Sequence, residues 1–254
     1  MATLIRSPWA VLTLLVASAS LCACGGDGGV AAAPSSTNPA GFYTGTLLSS
    51  TSGKASAMVA LASDTGELRI MDPAIGLQFV ASMQFADDSL DHPLTAFAAP
   101  GTTFPDGSQV CHGTVSGVIE PGATITGSYS CGGDHGTFSL LYDVEDSLQE
   151  PGRRFPEIGA LGTLRPGEVL FISVGSDGSI TGSDSAGCSY AGQLQVVDPL
   201  IDIYRMALDQ TCGGQTLALM GLATFGFVPD TATQAIYVGL SDGTHSIAGT
   251  LLIQ

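Results

Sequence analysis

A chain of 254 residues suits one large β domain or two domains of about 100 residues each, and a hydrophobic content of 44% supports a packed core. Only 12% of the residues are charged and 34 are glycine, which argues for turns and strands and against long solvated helices. With 23 acidic residues against 7 basic ones, the net charge of −16 disfavours nucleic acid and anionic lipid headgroups as partners. The acids are scattered along the chain, so they serve solubility first, while leaving a cationic protein partner open.

Residues 1–23 read as a signal peptide. Arg6 supplies a positive start, and Ala10–Ala17 forms an apolar run too short to span a bilayer as a mature helix. Leu21-Cys22-Ala23-Cys24 follows and resembles the bacterial lipobox, with Leu at −3, a small residue at −1 and the cysteine whose thiol receives diacylglycerol. The resemblance implies cleavage before Cys24 and lipid attachment at Cys24, which anchors the protein to a membrane of the cell envelope. Cys22 is a poor alternative because Leu21 would then fill the small position. Cleavage removes Arg6 and no acid, so the net charge moves from −16 to −17. Residues 24–40, rich in Gly, Ala, Pro, Ser and Thr, cannot build a core and read as a flexible tether. Processing of this kind attaches more than one acyl chain, which anchors stably where a single chain is marginal. Gly25 rather than Asp after the cysteine favours the outer over the inner membrane by enteric sorting rules.

From Gly41 onward the pattern is all-β, apart from a short helical turn over Val144–Leu148. Asp64-Thr65-Gly66, Pro121-Gly122, Ser176-Asp177-Gly178 and Ser241-Asp242-Gly243 punctuate the apolar runs as turns. Cys111, Gly113, Val115, Gly117 and Ile119 share one face of a strand, opposite His112, Thr114 and Ser116. The return strand places Ile125, Gly127, Tyr129 and Cys131 on one face and hydroxyl residues on the other. Folding about Pro121 sets Ile119 against Ala123, Gly117 against Ile125, Gly113 against Tyr129 and Cys111 against Cys131. A second hairpin folded about Leu200 sets Val196 against Tyr204, Leu194 against Met206, Gly192 against Leu208 and Cys188 against Cys212.

These hairpins suggest an internal duplication. Tyr129–Gly133 parallels Gln210–Gly214, and the strand at Ala57–Ala62 with its Asp-Thr-Gly turn parallels Val169–Val174 with its Ser-Asp-Gly turn. The first half then carries an insertion, roughly Gln78–Ser108. The expected organisation is a first β unit over 41–150 and a second over 151–254, divided near Glu150–Arg154. The fold expected is all-β, two similar antiparallel units of six to eight strands, barrel-like or sandwich; the units either stand apart or share one sheet. Once Cys22 is removed and Cys24 acylated, four cysteines remain in an oxidising compartment. Three pairings are possible, and the hairpin geometry selects Cys111–Cys131 and Cys188–Cys212.

Several short stretches offer chemistry. Asp64-Thr65-Gly66 matches the triplet of aspartic proteases, which need two aspartates sharing a proton, but the other half offers only Asp177-Gly178-Ser179. Gly182–Gly187 loosely resembles the serine segment of chymotrypsin-like proteases, whose serine needs a positioned His and Asp; His112 lies outward on a strand and His135 in a turn. Cys111, His112, Cys131 and His135 suggest zinc, yet alternation puts Cys111 and His112 on opposite faces. Asp177, Ser179, Thr181 and Asp184 offer oxygens for calcium without EF-hand spacing. The six tyrosines fit core packing, with a ligand-stacking platform as the sharper alternative. No catalytic residue, metal or cofactor is expected.

Asp177–Gly182, Gly187–Gly192 and Thr211-Cys212 are similar to the META-type domain of bacterial envelope lipoproteins, with Ser189 where that family has Asn. The Gly41-Phe42-Tyr43-Thr44-Gly45-Thr46 opening resembles a group of two-repeat β-rich lipoproteins. Neither resemblance implies catalytic residues. The expected function is a non-enzymatic binding or structural role in the envelope. The alternatives are an inhibitor of a basic hydrolase such as lysozyme and a secreted hydrolase of unfamiliar geometry.

Overall fold

Strands that alternate apolar with hydroxyl-bearing side chains bury one face and wet the other, and here they do so in number enough to close a wall twice. The computed structural model of the protein describes residues 38–84, 88–148, 158–165, 168–229 and 231–254. The expected signal peptide, Cys24, most of the tether and the expected boundary at Glu150–Arg154 lie outside the described residues.

The first half forms β1 (Gly41–Ser49), β2 (Ala55–Ala62), β3 (Glu67–Asp72), β4 (Leu77–Ser82), β5 (Ser89–Phe97), β6 (Val110–Glu120), β7 (Thr124–Cys131) and β8 (Asp134–Tyr142), followed by the single-turn helix α1 (Val144–Ser147). The second half forms β9 (Ile158–Arg165), β10 (Glu168–Val174), β11 (Ser179–Asp184), β12 (Ser189–Val196), β13 (Ile203–Cys212), β14 (Gln215–Phe227), β15 (Gln234–Ser241) and β16 (Ser246–Ile253). Each set is an antiparallel up-and-down meander. Pairing of β1 with β8 closes the first barrel, and pairing of β16 with β9 closes the second. The two halves therefore do not share a sheet. Closure leaves neither barrel with an open edge, and an eight-stranded barrel is just narrow enough for side chains to fill. Tyr43, Leu68, Phe79, Leu94, Ile125 and Phe138 fill the first; Ile172, Leu194, Met206, Leu219 and Val238 fill the second.

The second hairpin adopts the expected register: Val196 faces Tyr204, Leu194 faces Met206 and Gly192 faces Leu208. The first does not. Ile119 faces Ile125, Gly117 faces Gly127 and Val115 faces Tyr129, a displacement of two residues from the expected pairing. The cause is the turn. The amide of Ala123 donates to the Glu120 carbonyl at 2.9 Å, with Pro121 and then Gly122 at φ +68° between them. This is the type II pattern, and it leaves three residues outside the ladder, which resumes at Glu120 against Thr124. A shift of two keeps every side chain on its face, so the alternation survives.

Both disulfides form. Cys188 and Cys212 have Cα atoms 4.4 Å apart, and Cys111 and Cys131 have theirs 5.7 Å apart. In the first barrel the bridge is diagonal, because the β6–β7 ladder stops at Thr114 against Ser130. Gly113 makes it reachable: a Cβ there would stand 1.9 Å from the Ser130 carbonyl oxygen and 2.9 Å from the Cys131 Cβ. Each bridge abuts a two-residue Gly-Gly turn, Gly132-Gly133 or Gly213-Gly214. All four glycines have φ between +57° and +84°, as a type I′ hairpin requires.

The duplication is visible in the turns but not strand for strand. In both barrels the second and third strands are joined by a turn in which the glycine amide donates three residues back, Gly66 to Ser63 and Gly178 to Gly175. Each glycine carbonyl then accepts from the fourth-strand region, from Met83 or from Leu194. The disulfide hairpin, however, comprises the sixth and seventh strands of the first barrel and the fourth and fifth of the second. The β4–β5 hairpin falls within the expected insertion. The second barrel reaches eight strands through β15 and β16 instead.

The barrels pack side by side. Phe42, Val59, Leu61 and Met71, all on the outer wall of the first, form one buried cluster with Ile203, Leu222, Ala235 and Tyr237 of the second. The rings of Phe42 and Tyr237 are 4.9 Å apart. Arg69, also pointing outward from β3, is 5% exposed. Its guanidinium donates to Glu67 at 2.6 Å, to the Met220 carbonyl at 2.9 Å and to Ser241 Oγ at 3.2 Å. Gly221 leaves the space it occupies, since a Cβ there would lie 2.6 Å from Arg69 Cζ. Burial weakens the guanidinium's hold on its proton, and the Glu67 carboxylate acts in the opposite sense.

Candidate inter-barrel groove

Short outward side chains beside long ones leave a gap where two convex walls meet. Thr44, Ala57, Val59 and Ala74 face the second barrel next to the seam core, and the segment Val228-Pro229 after β14 lies over them. The result is a groove of two adjoining chambers, about 450 and 530 Å³, which share Thr44, Val228 and Pro229. Such volumes are those of small-molecule sites.

The smaller chamber is the more polar of the two. The helical turn α1 brings Asp143, Glu145 and Asp146 to it, with Phe42 and Phe227 beside them. Asp143 caps α1 by accepting the Asp146 amide at 3.1 Å, and the Asp146 carboxylate accepts the Phe227 amide at 3.1 Å across the seam. Ser147 ties α1 to β1, exchanging hydrogen bonds with the Phe42 amide at 2.9 Å and its carbonyl at 3.1 Å. The larger chamber is apolar, with Tyr237 on its floor. Tyr237 donates to the Phe227 carbonyl at 2.9 Å, and burial, then the Asp146 and Asp143 carboxylates, push its hydroxyl up to about 12.

The motifs singled out in the sequence lie elsewhere. Asp64-Thr65-Gly66 is the β2–β3 turn and Ser176-Asp177-Gly178 the β10–β11 turn, on different barrels. Ser185 accepts the Val169 amide at 3.0 Å on the second barrel, whereas His112 lies exposed on the first beside Thr95. Cys111 and Cys131 are spent in a disulfide and His112 points the other way. Asp177 lies in the turn before β11 and Asp184 ends that strand, whose length is roughly 16 Å at about 3.3 Å per residue, too far for the two to share one ion. Among the described residues no group of three or more His, Cys, Asp or Glu is placed to hold a metal. Five tyrosine hydroxyls are tied into the fold, and of these tyrosines Tyr237 lines the groove: Tyr43 donates to the Pro39 carbonyl, Tyr129 to Asp134, Tyr190 to Asp184, Tyr204 to Asp202 and Tyr237 to the Phe227 carbonyl.

A third cavity, about 300 Å³, is the mouth of the first barrel, where Phe79, Phe104, Tyr129 and Asp134 meet. Burial alone would raise the Asp134 carboxyl, but hydrogen bonds from Ser49 at 2.7 Å and Tyr129 at 2.8 Å hold it below its ordinary value. A depressed carboxyl stabilises the fold above its unfolded value of about 3.9, and that stability disappears as pH falls through the folded value. Asp134→Asn will therefore lower stability by about 1–2 kcal/mol at neutral pH. It will also flatten the acid limb below about pH 4; urea titrations of both proteins from pH 7 to pH 2 measure this, and parallel curves would refute it.

The groove was not legible as a site beforehand. Its one sequence signal is that Met58-Val59-Ala60-Leu61-Ala62 is apolar on both faces, which marks a strand covered from outside. The chain matches no family model, no curated protein and no solved structure.

Proposed function

We propose that this protein is an envelope lipoprotein, acylated at Cys24 and more at home on the outer than the inner membrane, whose double-barrel head acts by binding rather than by catalysis, with the inter-barrel groove as its binding site. The observation that carries the reading is the placement of a preformed, largely apolar groove at the seam where the tether joins the head. Ala40, the last residue of the expected tether, and Phe42 are part of the seam core. A net charge of −17 after processing suits a cationic partner at the surface around it.

Labelled palmitate supplied to cells is expected to enter the protein, and Cys24→Ser is expected to abolish the label and release the head from membranes after carbonate and salt washing. Failure of palmitate incorporation, with the Cys24→Ser protein held as firmly as before, would overturn the anchor.

A further inference from the structure

We propose that the apolar chamber of the groove binds the hydrocarbon chain of a single-chain amphiphile with an uncharged headgroup, taken from the bilayer beside the protein. This rests on the lipid-anchored binding role proposed above and names its ligand.

The chamber, about 530 Å³, is walled by Ala57, Val59, Pro73 and Ala74 of the first barrel and Leu252 of the second, under Pro229. It exists because the outer row carries Ala57 and Ala74 where the seam core carries Leu61 and Met71, so the two walls stop interdigitating. The apolar surface does not end at the chamber. Leu252 faces Leu161 across the β16–β9 ladder, and Leu161 faces Phe171 across the β9–β10 ladder. These three point outward and are 40%, 39% and 44% exposed. Other large apolar side chains are exposed on the outer walls, Leu48, Val118, Leu141 and Met220 among them, but none of these lines the chamber, whereas Leu252 does. The strip thus prolongs the seam by three adjacent strands, roughly 10 Å across the sheet, and gives an extended chain a path from the surface into the chamber.

The polar chamber restricts the headgroup. Asp143 and Glu145 stand at that end, so a carboxylate or sulfate would meet like charge, while the hydroxyl of Thr44, which both chambers share, offers a hydrogen bond to an uncharged head. Cys24 precedes Asn38 by 14 residues, a reach of at most roughly 50 Å, so the tether keeps the groove close to a supply of such molecules.

The test uses the mature chain beginning at Gly25, which lacks the acyl group and retains both closed barrels. It is titrated calorimetrically with monomeric octyl, decyl and dodecyl maltoside below their micelle concentrations. Affinity is expected to rise about fourfold per added methylene. Ala57→Phe and Ala74→Phe, on different elements of the wall, are each expected to weaken dodecyl maltoside at least tenfold with unchanged melting temperature. Val118→Ser, exposed on β6, should leave binding unaltered, and dodecyl sulfate should bind more weakly than the maltoside. Absence of binding, indifference to chain length, or full affinity in both filled variants would overturn the proposal. The acylated protein in bilayer nanodiscs must bind a fluorescent dodecyl maltoside as the soluble chain does. If only the unacylated chain binds, the groove holds the protein's own anchor, and the exchangeable ligand is refuted. None of these results alters the Cys24 labelling experiment, so failure of the ligand and failure of the anchor are separable.

Discussion

Replacing all four bridging cysteines with alanine will lower the unfolding free energy by about 6 kcal/mol, most of the stability of an ordinary domain. The bridges span 20 and 24 residues. Each removes loop-closure entropy from the unfolded chain worth about 3 kcal/mol in the chain-entropy model. Neither replaces hydrogen bonds that the barrel would otherwise lack, because both sit beside hairpins already closed by their turns. The folded walls should therefore persist in the variants, with the loss appearing as a lower denaturation midpoint and a faster collapse on heating. The single-bridge variants, Cys111→Ala/Cys131→Ala and Cys188→Ala/Cys212→Ala, should each lose about half. Guanidinium titrations with and without reductant provide the measurement; a midpoint that ignores reduction would contradict it. The barrels share a buried seam, so loss of either bridge is expected to shift one common transition rather than split it.

Arg69→Ala will split that transition. The guanidinium is the polar centre of the seam. Its removal leaves the Met220 carbonyl, the Ser241 hydroxyl and the Glu67 carboxylate without that donor, in a partly buried place. Breaking a buried ion pair from one side costs about 3–5 kcal/mol. Glu67 keeps 27% of its side chain exposed, which puts the expected loss near the lower end, about 3 kcal/mol. Gly221→Val should do comparable damage from the other wall, since the new side chain would occupy the guanidinium's space and stand 2.1 Å from the Gly239 carbonyl oxygen. With the seam weakened and each barrel closed on itself, two unfolding steps are expected where the parent shows one. Replacing both partners together, Glu67→Gln with Arg69→Met, should recover much of the loss, because the apolar side chain fills the volume without a charge to desolvate. Equal stability of Arg69→Ala and the parent protein would show that the contact contributes nothing.

The legible parts of the fold are those whose determinants are local. In β6 and β7 one face meets water, so alternation is strict and every inward residue can be named: Cys111, Val115, Ile119, Ile125, Tyr129 and Cys131 all lie inside. The disulfide pairs follow from that parity together with the hairpin that brings the two members of each pair to one end. The register of the first hairpin does not, because parity is unchanged by a shift of two, and the turn at Pro121-Gly122 decides between the two pairings by its hydrogen bond. Where both faces are dry, as in β2, β14 and β15, the sequence shows near-continuous apolar runs that cannot distinguish inside from outside.

By itself, then, the amino-acid sequence determined the all-β character, the duplicated turns and the partners of four cysteines, since each depends on neighbours within one strand or one hairpin. Only the tertiary structure decided that each half closes on itself, that Arg69 is buried and that a groove opens between the barrels. Those features are made by residues far apart in the chain, such as Arg69 with Met220 and Ala57 with Leu252. Their meeting depends on how two finished walls fit together, and a mismatch in side-chain size between those walls leaves the space that the local pattern does not record.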